Sequence, residues 1–184
     1  MKLAEWRERL EKKRKQKDWF LAINPQSPIP PRKRQDFNGL DYYPPNPEYR
    51  LELTLHKCEA KTITLSTSEG EQQQYLRWGQ FRFQLGGKQE TLQVYKRNPE
   101  ERWLFVPFKD TTNSKQTYGA GRYLDLQSDS HYLGEGRWIL DFNEAYNPFC
   151  AYSKAYTCPL PPPENWLAIP IPAGEKKYVP ETEK

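Results

Sequence analysis

The chain has 184 residues, 36% of them apolar and 14% aromatic, with a formal charge of +4, 2 histidines and 3 cysteines. That length suits one domain with a sizeable core, because large rings bury much area each even where mean hydropathy is low. No apolar run nears the roughly 18 residues of a membrane span, and three scattered cysteines make no disulfide framework, so we expect a soluble, cytoplasmic protein with reduced thiols and no membrane partner.

The charge is lopsided. Residues 1–34 hold 11 Lys/Arg against 4 Asp/Glu, and the remainder holds 17 against 20. Residues 3–22 predict a helix, being rich in Glu, Lys, Arg, Leu and Ala with no Gly or Pro before Pro25. Leu3, Trp6 and Leu10 keep helical spacing, KKRKQK interrupts the stripe, and Trp19, Phe20 and Leu21 resume it, so only the two ends of this helix are expected to dock, with Trp6 and Trp19 as packing anchors. The prolines of NPQSPIPPRKR then impose an extended connection, continued by the aromatic loop FNGLDYYPPNPEYR.

From Tyr49 the period becomes two. Leu51, Leu53 and Leu55 alternate with polar residues, as do Ile63 and Leu65, and then Phe81, Phe83 and Leu85 ahead of the Gly86-Gly87 pair, which predicts a hairpin. Further strands are expected at TLQVY, RWLFVPF, GRYLDL, GRWILDF and WLAIPI. RWLFVPF has almost no polar face, which predicts a central strand covered on both sides, the N-terminal helix being one candidate cover, while Pro107 predicts a bulge or edge near Asp110. The sum is a mainly β fold: an antiparallel barrel or sandwich of about eight strands with one N-terminal helix. We read it as one domain over 1–184, with the helix at 1–24, the connection at 25–48 and the β portion at 49–178.

Chemistry-bearing side chains gather late. DFNEAYNPFCAYSKAYTCPLPPPENWLAIPI sets amides, phenols, thiols and carboxylates among prolines that stiffen the backbone. Asp141, Cys150 and Glu164 are the reactive candidates, as acid, base or nucleophile. Asn143, Tyr146, Asn147 and Asn165 are candidates for hydrogen bonding to a ligand, and in TYGAGRYLDL, Tyr118 and Arg122 flank a glycine turn suited to an anion. The opposing readings are local: asparagines that cap turns, buried thiols that pack as small hydrophobes, and an Arg122 tied to an internal aspartate, with Asp125 or Asp141 as natural partners. No spacing of Cys58, His56, His131, Cys150 and Cys158 forms a zinc motif, GAGR is neither a dinucleotide fingerprint nor a P-loop, and the identity of any cofactor is unknown from the sequence.

As a linked set, FNGLDYYPPNPEYR, VPFKDTT, TYGAGRYLDL, DFNEAYNPFCAYS, CPLPPPENWL and AGEKKY make residues 19–178 closely resemble the bacterial and archaeal family called domain of unknown function 1684. The resemblance implies a single soluble domain and brings no activity or substrate.

The residues themselves lead to a small-molecule-binding β domain, an enzyme if Asp141 and Cys150 react, taking a small polar or anionic ligand between the glycine turn and the C-terminal segment. Two alternatives stand beside it. One is an adaptor for nucleic acid or an acidic partner through KKRKQK and RKR, opposed by helical pairs of Glu5, Glu8 and Glu11 with Arg9, Lys12 and Lys15 that would leave the run merely solvated. The other is a structural assembly protein. Oligomeric state is not readable from the sequence.

Overall fold

The computed structural model describes residues 2–179. In chain order it contains helix α1 (Leu3–Ile23), the short helix α2 (Pro31–Arg34), strands β1 (Arg50–Thr54), β2 (His56–Ser66), β3 (Gln72–Leu85), β4 (Lys88–Lys96), β5 (Trp103–Phe108) and β6 (Arg122–Gln127), the short helix α3 (Ser128–His131), and strands β7 (Tyr132–Gly134) and β8 (Arg137–Asp141). Two antiparallel sheets result, one ordered β2-β3-β4-β5-β6 and the other β1-β8-β7, and they do not close into a barrel. The architecture is therefore the sandwich form of the expectation.

The main core fills the space between the sheets. Phe81, Leu92, Val94, Leu104 and Val106 of the larger sheet meet Trp138 and Leu140 from the smaller and Phe142 from the turn after it. Residues 167–173 close its open side with Leu167, Ile169 and Ile171. This is the WLAIPI stretch expected to be a strand, and it is not one. Its alternation is real, but Pro170 and Pro172 supply no N-H to a ladder, so it packs as an extended strap whose ladder-type pairing is limited to the isolated bridge between Lys109 and Trp166, its other carbonyls and N-H groups being held singly, as Ile169 O is by Thr111 N at 3.2 Å.

Local turn chemistry behaves as its residues require. Gly86 and Gly87 have φ of 58° and 77°, the left-handed pair of a tight hairpin, and Leu85 pairs with Lys88 across it. Pro107 sits in regular register opposite Tyr123 instead of forming a bulge; the irregularity falls on the other side, where β4 and β5 share only the pairing of Tyr95 with Phe105. Asn165 fills that split. Its Oδ1 accepts from Gln93 N at 2.7 Å, and its Nδ2 donates to Gln93 O at 2.9 Å and Pro107 O at 2.7 Å, standing in for absent strand pairing.

β5 is covered on both faces, as its composition predicts. Leu104, Val106 and Phe108 face the main core, and Phe105 joins a second cluster with Leu65, Tyr75, Tyr95 and Tyr123. The second cover is the segment after β8, not α1: Tyr146 packs edge-on against Tyr123, 5.7 Å between centroids, and the Tyr123 hydroxyl donates to the Pro159 carbonyl.

α1 docks across the edge of this second layer, along its whole length. Trp6 and Leu10 are buried near its start and Leu21 near its end, while Trp19 is 61% exposed and anchors nothing. Its middle was expected to stay free, yet Lys13 pairs with Glu144 at 2.7 Å and Lys17 pairs with Glu175. Arg14 donates to the carbonyls of Tyr43 and Asn143 at 2.9 and 3.4 Å and stacks 4.5 Å from the Tyr42 ring centre. Half of the basic run is thus turned inward.

Candidate functional site

A cavity of about 570 Å³ lies between α1, the outer face of β6 and the segment following β8. Sequence alternation builds its floor: in RYLDLQ, Leu124 and Leu126 enter the core, so Tyr123 and Asp125 share the opposite face. An antiparallel bridge then lashes the two regions together, Tyr123 N to Tyr146 O at 2.9 Å and Tyr146 N to Tyr123 O at 3.0 Å. Tyr42, Phe149 and Tyr156 add ring surface to the walls.

Four cations and three carboxylates line this space: Lys13, Arg14, Lys17 and Arg97 against Asp125, Glu144 and Glu175. Glu144 is held between Lys13 and the ring of His131, whose Nε2 is 3.2 Å away. Burial works against its charge, but those partners outweigh it and hold the carboxyl down at about 2. Glu175 is buried and accepts from Lys17, from Asn147 N at 2.7 Å and from the Tyr152 hydroxyl at 3.1 Å. Gly174 sets its position: with φ of 77°, any Cβ there would lie 2.6 Å from Ala145 O and 2.7 Å from Phe142 O.

Asp125 differs from both. Its carboxylate is accessible from the cavity, and Oδ2 accepts from the Tyr146 hydroxyl at 2.6 Å. Protein encloses its other sides, and this desolvation raises its pKa despite the Tyr146 bond. With Glu144 and Glu175 each neutralised by a lysine, the residual charge of the cavity is positive, carried by Arg14 and Arg97. Arg14 Nε is buried without a hydrogen-bond partner among the described residues.

The candidates named from the sequence separate into distinct places. Tyr146 lines the cavity, and Asn143 borders it while its side chain bonds Asn46 O and N and Asp141 Oδ1, each at 2.8 Å. Asp141 lies sealed beneath α1, accepting from Trp6 Nε1 at 2.7 Å, and burial raises its pKa. Asn147 is fully buried, its Nδ2 bonding Lys176 O at 2.7 Å. Asn165 holds β4 to β5 as described, and its neighbour Glu164 pairs with Arg77 at the surface.

Arg122 reaches no open space. It is fully buried, donates to Asp110 Oδ2 at 2.9 Å and Ile171 O at 2.8 Å, and binds the carbonyls of Ala173 and Glu175, stapling the C-terminal strap to β6. Its acidic partner is Asp110, not Asp125 or Asp141. Tyr118 points elsewhere, its hydroxyl 3.7 Å from Cys150 Sγ, and Cys150 N donates to Cys158 Sγ at 3.3 Å. Of this thiol cluster, Cys158 lines the cavity wall and Cys150 does not. The three reactive candidates are therefore not gathered into one centre.

Sequence reasoning missed Asp125, Glu144 and Glu175 as cavity residues. The alternation of RYLDLQ carried a signal for Asp125, because it places that carboxylate beside Tyr123. Nothing local marks Glu144 and Glu175, whose roles depend on where α1 lands. Among the described residues no three His, Cys, Asp or Glu side chains cluster as a metal site, and no helix is long and apolar enough to cross a membrane.

Fold and site together define an antiparallel β-sandwich with a helix strapped over a mostly apolar, ring-walled cavity that carries charged side chains among its lining. The chain belongs to the family described as protein of unknown function (DUF1684), whose profile matches residues 35–176. It is similar to the solution NMR structure of an uncharacterized protein from Haloarcula marismortui, with 42% sequence identity over 94% of this chain and 95% of that one and a TM-score of 0.73. No curated protein matches it.

Proposed function

We propose that the protein binds a small organic anion, a carboxylate or phosphate on an aromatic or aliphatic body, in the cavity beneath α1. The observation that carries this reading is the pairing of a roomy, ring-walled hollow with uneven charge satisfaction: Lys13 and Lys17 are neutralised, while Arg14 and Arg97 face it without a carboxylate partner among the described residues. A cavity of this size accommodates a small ligand, and an arginine fork matches carboxylate or phosphate oxygens. Asp125, with its raised pKa and Tyr146 behind it, supplies a hydrogen bond to the ligand's polar edge and is the one cavity carboxylate placed to exchange a proton with it.

The test is a ¹H–¹⁵N NMR screen of full-length protein against small aromatic and aliphatic carboxylates and phosphates. Shift changes gathered on Arg14, Tyr42, Tyr123, Asp125 and Tyr146 are expected for at least one class. Perturbations that scatter over the surface, or none at millimolar ligand, reject the reading.

The adaptor reading has less to draw on, because Lys13 and Lys17 of the basic run are paired with carboxylates within the chain and Arg14 faces the cavity. We favour the cavity, within a single domain that includes α1.

A further inference from the structure

The thiol cluster stands apart from the ligand reading. Three cysteines are free, and they differ in setting: Cys58 is exposed on β2, Cys150 is half-buried in the turn Phe149–Ala151, and Cys158 is buried. Only the last two are neighbours. The Cys150 backbone N-H points at Cys158 Sγ at 3.3 Å, which sets the two residues side by side around a loop of seven intervening residues. That loop is anchored at both ends, by Ala151 N to Pro148 O at 2.9 Å and by Cys158 N to Ser68 Oγ at 3.2 Å.

The cluster is also polarised. The Tyr118 hydroxyl approaches Cys150 Sγ at 3.7 Å, as a donor to a thiolate would. Hydrogen bonding from the Cys158 thiol, helped by Tyr118 and Ser68, pulls the Cys150 pKa down against the effect of burial, and Cys158, as the donor, is pushed up. With the Tyr118 hydroxyl against its sulfur and partial solvent access, Cys150 is the member of the pair placed to form a thiolate, while Cys158 is buried beside it. An attacking thiolate beside a buried resolving thiol is the arrangement peroxide chemistry needs.

We propose that Cys150 and Cys158 form a peroxide-oxidisable pair, with Cys150 as the attacking thiolate and Cys158 as the resolving thiol. Cys150 Sγ attacks one peroxide oxygen: an S–O bond forms, the O–O bond breaks, and hydroxide leaves to take up a proton. Cys158 Sγ then attacks the Cys150 sulfur, losing its proton as the S–S bond forms and the S–O bond breaks, and water departs. Two electrons pass from two thiols to one hydrogen peroxide, yielding two waters. Because Cys158 lines the cavity, the oxidation state of this pair shapes that wall.

Reduced full-length protein treated with equimolar hydrogen peroxide should lose about 2 Da and yield a peptide linking Cys150 to Cys158, with Cys58 still alkylatable and dithiothreitol restoring all three thiols. Cys158→Ser should stop at a sulfenic acid on Cys150, captured by dimedone. Tyr118→Phe should slow oxidation by roughly twofold to tenfold, since the thiolate fraction falls. If Cys158→Ser does not fold, the wild-type peptide map decides. Oxidation of Cys58 ahead of Cys150, Cys58-linked dimers as the main product, or a Cys158 variant without a Cys150 adduct would each overturn the assignment.

Discussion

Trp6 Nε1 donates to Asp141 Oδ2 at 2.7 Å, joining residues 135 positions apart and burying both at the foot of α1. The other oxygen of Asp141 accepts from Asn143 N and Nδ2 at 3.0 and 2.8 Å, so one carboxylate ties the helix, the end of β8 and the turn after it. Trp6→Phe leaves Oδ2 with only Arg50, 4.0 Å away, and loses ring volume besides. We expect a loss of about 2 to 4 kcal/mol in urea unfolding. A change below measurement error would show that the bond is incidental.

Acid should loosen α1 through Glu144. Its folded value, about 2, lies below the ordinary 4.5, so the stabilisation is complete above 4.5 and is lost as pH falls toward 2. The amount is on the order of 2 kcal/mol. Melting temperatures from pH 6 to 2 should fall less steeply for Glu144→Gln than for wild type, and parallel curves would contradict the assignment.

Asp125 should behave oppositely. Its pKa is raised on folding, so its charge costs stability above the folded value, and the cost disappears below the ordinary 3.8. Asp125→Asn keeps an acceptor for Tyr146 and removes that charge. We expect a gain under about 1 kcal/mol at pH 7, limited by screening from the cavity, and none at pH 3. Destabilisation at pH 7 would be the contrary outcome.

Asn165→Ala removes three hydrogen bonds at the split between β4 and β5. A loss of about 2 to 4 kcal/mol is expected, with faster amide exchange at Gln93. Unchanged exchange there would mean that the two strands hold without it.

What the sequence disclosed divides along physical lines. α1, the Gly86-Gly87 hairpin and the two-sided burial of RWLFVPF depend on period, turn chemistry and composition, which are local. WLAIPI misled because its alternation records burial, whereas a strand also needs donors that Pro170 and Pro172 lack. The site was less legible. Arg122 and Asn165 carry the marks of ligand-binding residues because buried backbone carbonyls and anions attract the same donors. The basic run gave no hint of direction, since its partners Glu144 and Glu175 are fixed only by tertiary packing.

The length of those pairings bears on how the molecule is made. Trp6, Lys13 and Lys17 leave the ribosome well before their partners, since Asp141, Glu144 and Glu175 follow them 135, 131 and 158 residues later. During translation α1 can meet only the segment just behind it, where Leu21 packs on Ile29 and Arg14 reaches Tyr42 and Tyr43, while its docking partners in the β domain are still to come. A strongly apolar helix would invite chaperones or aggregation in that interval, while a charged one, gripping through cations and only three buried apolar side chains, can wait in water.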